Sequence, residues 1–163
     1  MNTRIEKASA RTPKPVEVTI TVRKFKDVLV TAAARGGRAT DYAMKLGSND
    51  PRAEIKGNDI YIKRPGATLR FTIASSAADQ MRYYPIGISF LREGDRSSSD
   101  AQRLGLLNFP QNQTRMDGPT LTITDAYKDE ARYVRYKFSV VVQRGSDGRI
   151  GIIDPGIVHE FDE

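Results

Sequence analysis

A chain of 163 residues with no cysteine and a single histidine, His159, excludes thiolate catalysis, a disulfide framework and Cys-ligated zinc or iron–sulfur centres. The formal net charge is +6, placed unevenly: residues 1–64 carry 14 Lys/Arg against 7 Asp/Glu, and residues 65–163 carry 12 against 13. The length suits one domain. No stretch approaches the roughly 20 apolar residues of a membrane helix, and the start lacks the apolar core of a secretory signal, so a soluble, cytoplasmic protein is expected.

Residues 1–15 read as a basic arm, disordered or draped, because they hold too little apolar surface to offset the entropy of ordering. The remainder, residues 16–163, reads as one domain. Val16, Val18, Ile20 and Val22 alternate with polar residues, the period of a half-buried strand. A second short strand is expected over Asp27–Ala32, and a break at Ala33–Arg38. Tyr42–Leu46 resumes regular structure, and Ala53–Lys56 with Ile60–Ile62 forms a hairpin about Gly57-Asn58-Asp59. Ala67, Leu69, Phe71 and Ile73 alternate next.

Ile86, Ile88 and Phe90 share one face of a strand within Tyr84–Leu91. Arg92–Ser99 is charged and Ser-rich, an exposed loop extended by the polar stretch Asn108–Gln113. Leu121 and Ile123 open a strand ending at Asp125. The clearest strand has Val134, Tyr136, Phe138, Val140 and Val142 inward, and the turn Gly145–Gly148 returns it through Ile150–Ile153. Helical candidates are short: Ser76–Met81, Ser99–Leu107 and Asp125–Ala131. Many short strands joined by turns predict an all-β fold, a single-domain antiparallel β-sandwich with short helical turns.

The basic arm could hold a polyanion such as nucleic acid by releasing counterions, but it has no interleaved aromatics and matches no usual module; a solvated tail is the simpler reading. Gly36-Gly37 between Arg35 and Arg38 lacks phosphate-loop spacing and reads as a plain loop. Of the seven tyrosines, the pair Tyr83-Tyr84 could stack on a base or sugar, yet tyrosine is also an ordinary residue at the wet edge of a β core. No cofactor fingerprint and no metal-ligand spacing is present, so neither cofactor nor metal is expected.

The end of the chain concentrates the chemistry: Asp154-Pro155-Gly156-Ile157-Val158-His159-Glu160-Phe161. Asp-Pro at a strand end makes an ordinary turn, and it is also a weak link, since the aspartyl carboxyl can attack its own peptide carbonyl and expel the proline nitrogen. Two neighbouring carboxyls cannot both ionise readily, which leaves one as acid and the other as base. Asp154 and Glu160 could form such a couple only if the chain doubles back at Pro155-Gly156 or a second subunit supplies Glu160, because six extended residues span roughly 20 Å. His159, beside Glu160, is either a surface residue or a group that orients or protonates a carboxylate.

The segment Asp154-Pro155-x-Ile157-x-His159-Glu160, with the hairpin Tyr136–Val142 and Gly148–Ile153 before it, resembles the DP-EP family, small bacterial β-sandwich proteins with a C-terminal Asp-Pro and Glu-Pro motif. Phe161 stands where the second proline would be. The resemblance implies aspartic-type self-processing peptidase activity, with cleavage between Asp154 and Pro155, Asp154 as the reacting carboxyl and Glu160 as its partner. Two rival readings accompany it. One is a non-catalytic β-sandwich interaction or oligomerisation module that associates with itself, its acidic tail docked on basic surface. The other is binding of a polyanion through the arm. No membrane partner is expected.

Overall fold

A computed structural model of the chain describes residues 13–28, 39–77, 80–94, 99–126 and 133–161. Its strands, in order, are β1 (Val16–Lys24), β2 (Asp41–Leu46), β3 (Ala53–Lys56), β4 (Asp59–Ile62), β5 (Thr68–Ser75) and β6 (Tyr83–Arg92). A one-turn helix, α1 (Asp100–Arg103), and a 3-10 turn at Gln111–Gln113 precede β7 (Arg115–Asp117), β8 (Thr120–Thr124), β9 (Tyr133–Arg144), β10 (Ile150–Ile153) and β11 (Gly156–Glu160). The fold is all-β.

The strands form two sheets. One has the order β2-β1-β5-β8-β7. In the other, β3, β4 and β11 lead to the long central strand β9, with β10 in line with β11 on one side of β9 and β6 on the other. The period-two residues of the sequence are the ones that turn inward. Val16, Val18, Ile20 and Val22 of β1, Leu69, Phe71 and Ile73 of β5, and Val134, Tyr136, Phe138, Val140 and Val142 of β9 are all buried in one hydrophobic cluster. Phe71 meets Phe138 across the sheets with ring centroids 5.3 Å apart. Full burial of each such side chain contributes about 1.5–3 kcal/mol, so alternation alone is enough to commit each strand to one face.

The sheets are mixed, not wholly antiparallel. β1 pairs β5 in parallel, and β11 pairs β4 in parallel. Alternation specifies which face of a strand is buried and carries no information on the direction of its neighbour. Other local expectations change for identifiable reasons. The stretch expected to be helical over Ser99–Leu107 folds only its first turn, closed by a capping box in which Gln102 N–H donates to Ser99 Oγ at 3.3 Å and Ser99 N–H to Gln102 Oε1 at 3.1 Å. Gly105, at φ 67°, ends it. The described residues of Ser76–Met81 make no helix; one bond, Gln80 N–H to the Ser76 carbonyl at 3.2 Å, remains. A bulge between Pro85 and Gly87 takes Ile86 off the inward row, leaving it 46% exposed.

The arm at residues 1–12, most of the expected strand Asp27–Ala32, the Gly36-Gly37 loop and residues 127–131 of the third helical candidate lie outside the described residues. Among the described residues no helix is long and apolar enough to cross a membrane, and no group of three or more His, Asp or Glu side chains could hold a metal ion.

Candidate functional site

The Asp154-Pro155 step does not turn the chain. β10 and β11 pair with β9 in one unbroken register, Ile153 opposite Val140 and Gly156 opposite Lys137, so the two residues between them sit opposite Ser139 and Phe138. Phe138 N–H donates to the Pro155 carbonyl at 2.9 Å; only the return bond, for which proline has no donor, is missing. The break between β10 and β11 is thus the absent N–H of Pro155 and not a change of direction. An extended segment carries Glu160 about 20 Å from Asp154 at ~3.3 Å per residue, and the expected carboxyl couple does not form within the chain.

Each acid has another partner. Asp154 is exposed, and its Oδ1 accepts a hydrogen bond from Ser139 Oγ at 2.6 Å. Glu160 pairs with Lys63, whose ammonium holds the carboxyl below its usual range, with Lys56 adding to the effect. Pro155 and Gly156 are buried. A shallow cavity of about 350 Å³ opens beside the Asp154-Pro155 bond, lined by Asn58, Asp59, Arg135, Lys137 and Ser139. Arg135 donates to Asp59 at 2.9 Å and to Glu93 at 2.7 Å; Asp59 first and Glu93 second push the guanidinium pKa up. A Cβ on Gly156 would lie 2.0 Å from Asp59 Oδ1, so this position accepts only glycine if the ion pair is to stay.

His159 belongs to the interior. It is fully buried, as are Asp125 and Asn108. His159 Nε2 lies 2.9 Å from Asp125 Oδ2, and Nδ1 lies 3.5 Å from Asn108 Nδ2, which also donates to Tyr136 Oη at 3.0 Å. Phe109, Tyr136 and Phe161 surround the imidazole, with ring centroids 5.8, 5.8 and 5.0 Å away. The imidazole thus lies between a carboxylate oxygen and a side-chain amide, held by these close contacts and by the rings around it. The ring is sealed from the cleavage candidate and braces the end of the sandwich. Asn108, expected on an exposed loop, is part of this core.

The stretch expected to be helical, Ser99–Leu107, and the polar stretch after it instead border a cleft. Leu104, Leu106 and Met116, between 40 and 42% exposed, line a cavity of about 640 Å³. Ile88 and Phe90 of β6 line it as well, with Phe109, which is stacked on Phe90 with centroids 4.3 Å apart. The cleft lies where both sheets stop, between β6 and β7, the outermost strand of the other sheet. Its signal in the sequence is apolar residues without a helical or strand period inside a stretch otherwise rich in Asn and Gln.

Tyr83 is a core residue, stacked on Phe25 at 5.6 Å, and so takes no part in a stacking surface. No protein-family model matches the chain, and no curated protein matches it.

Proposed function

We propose that this chain is a β-sandwich interaction module that assembles with copies of itself through the open side of the sandwich. The observation that carries the reading is the apolar cleft between β6 and β7, where Leu104, Leu106 and Met116 remain exposed around a half-open cavity of about 640 Å³. Grouped exposed apolar side chains beside two unclosed sheets are the usual mark of an interaction site. Light scattering over a dilution series tests it. Mass above that of one chain, 18.2 kDa, is expected to persist at high salt, because apolar contact is not screened. A single-chain mass at every concentration overturns the reading.

A second reading, self-processing at Asp154-Pro155 as the DP-EP resemblance implies, draws support from one contact. The Asp154 carboxylate is exposed and positioned by Ser139 beside a proline nitrogen. In this chemistry a carboxyl oxygen of Asp154 bonds to its own carbonyl carbon. The C–N bond to Pro155 breaks, the proline nitrogen takes up a proton, and water opens the cyclic anhydride. Glu160, paired with Lys63 along the strand, and His159, in the core, contribute nothing to it. Mass spectrometry after mild acid treatment decides: cleavage that stops in Asp154→Asn supports it, and an intact mass or unchanged cleavage in that variant overturns it.

A further inference from the structure

The self-association read from the cleft acquires a geometry from β6. Glu93 N–H donates to the Arg135 carbonyl at 2.8 Å, and in an antiparallel ladder the bonded residues alternate. Gly87, Ser89 and Leu91 therefore turn their N–H and C=O groups to β9, whereas Ile88 and Phe90 turn theirs the other way. No described strand pairs with that side of β6. Pro85 precedes the bulge on the same open side, where its lack of an N–H costs no bond to β9.

Open edges are ordinarily guarded by charge, and this one is not. From Tyr83 to Leu91 β6 carries no Asp, Glu, Lys or Arg, and the first charge is Arg92 at its end. We propose that the partner is a second copy of this chain, joined by antiparallel pairing of β6 with β6 about a two-fold axis at Ser89. Ile88 then faces Phe90 of the other copy, and the reverse, closing about four backbone hydrogen bonds. Both sheets end on this side, so the same axis lays the two β7 strands antiparallel. Arg115 of each copy then approaches Asp117 of the other, with Met116 between them. Arg115 and Asp117 are exposed at opposite ends of β7, and the two-fold turns that arrangement into charge complementarity. Two sheets become continuous across the dimer.

This inference rests on the proposed self-association, and its test separates the two. Ser89 is exposed and faces its own copy as a non-hydrogen-bonded pair, with Cα atoms about 4.5 Å apart, inside the disulfide range of about 4.4–6.8 Å. The chain has no other thiol. Mild oxidation of S89C is expected to give a covalent dimer at least about tenfold faster than S48C, on a remote exposed turn. S89K and S89E are each expected to weaken the dimer about tenfold, like charges being placed face to face, and an equimolar mixture of the two is expected to restore it. That restoration also shows that neither variant is misfolded. If the unaltered chain dimerises but S89C does not link and S89K still dimerises, or if the mixture fails to pair, the β6 interface is overturned and self-association through another surface stands. If the unaltered chain is monomeric throughout, both are overturned.

Discussion

His159 has its imidazole buried between the carboxylate of Asp125 and the amide of Asn108, with aromatic rings around it. Removing the acid leaves a buried imidazole without the carboxylate it faces at 2.9 Å, a change that costs more than the pair itself contributes. Asp125→Ala is expected to lower stability by about 3 kcal/mol in urea unfolding; a loss below about 0.5 kcal/mol would show that the pair braces nothing. Tyr42 gives a second measure of the interior. Its hydroxyl, buried and without a hydrogen-bond partner among the described residues, is pushed up from 10.0 to about 12 by burial first and by Asp154 and Asp59 after it. Between those values the unfolded phenol is ionised and the folded one is not, so the folded state loses stability as pH rises from 10.0 to about 12. Absorbance titration of the tyrosines should show a late phase that is smaller by one tyrosine in Tyr42→Phe, and that variant should have a flatter alkaline limb. Little of this was legible in the chain. His159 and Asn108 are 51 residues apart, and nothing local to Asp154-Pro155-Gly156-Ile157-Val158-His159 tells that the histidine side faces the core.

At the scale of elements, alternation was legible because each strand buries one face, and the hairpin β9–β10 shows what fixes its turn. Arg144 donates to both oxygens of Asp147 at 3.0 and 2.6 Å and holds that carboxyl down at about 2. A depressed carboxyl adds stability above its unfolded pKa and loses it as pH falls from 3.8 through about 2. Asp147→Asn is expected to flatten the acid limb of the stability curve in that window; an unchanged limb would contradict the contact. The strand β11 was hidden for a different reason. A proline ordinarily ends a ladder, and only the register of the residues on either side shows that β10 and β11 are one line along β9. Gly156→Ala tests that packing: its Cβ would displace Asp59 from Arg135, at an expected cost of about 1–3 kcal/mol in thermal or urea unfolding. Full stability in the variant would mean that the pair yields freely.

For the whole molecule, two sheets share one core and stop together beside β6 and β7, leaving a cleft whose apolar rim the sequence spreads over Leu104, Leu106 and Met116. That cleft was invisible in the chain because only its β6 side has a period, and the residues that meet it come from separate segments brought together in the fold, Phe90 stacking on Phe109. The acids at the end of the chain, which had promised a reacting couple, instead lie along one strand with separate partners. The surface proposed to act is the open side. Amide hydrogen exchange along β6 addresses it directly. Ser89 and Leu91, bonded to β9, should be protected at every protein concentration. Ile88 and Phe90 should be protected in concentrated protein and lose that protection on dilution. Rapid exchange at Ile88 and Phe90 in concentrated protein would contradict assembly through this edge.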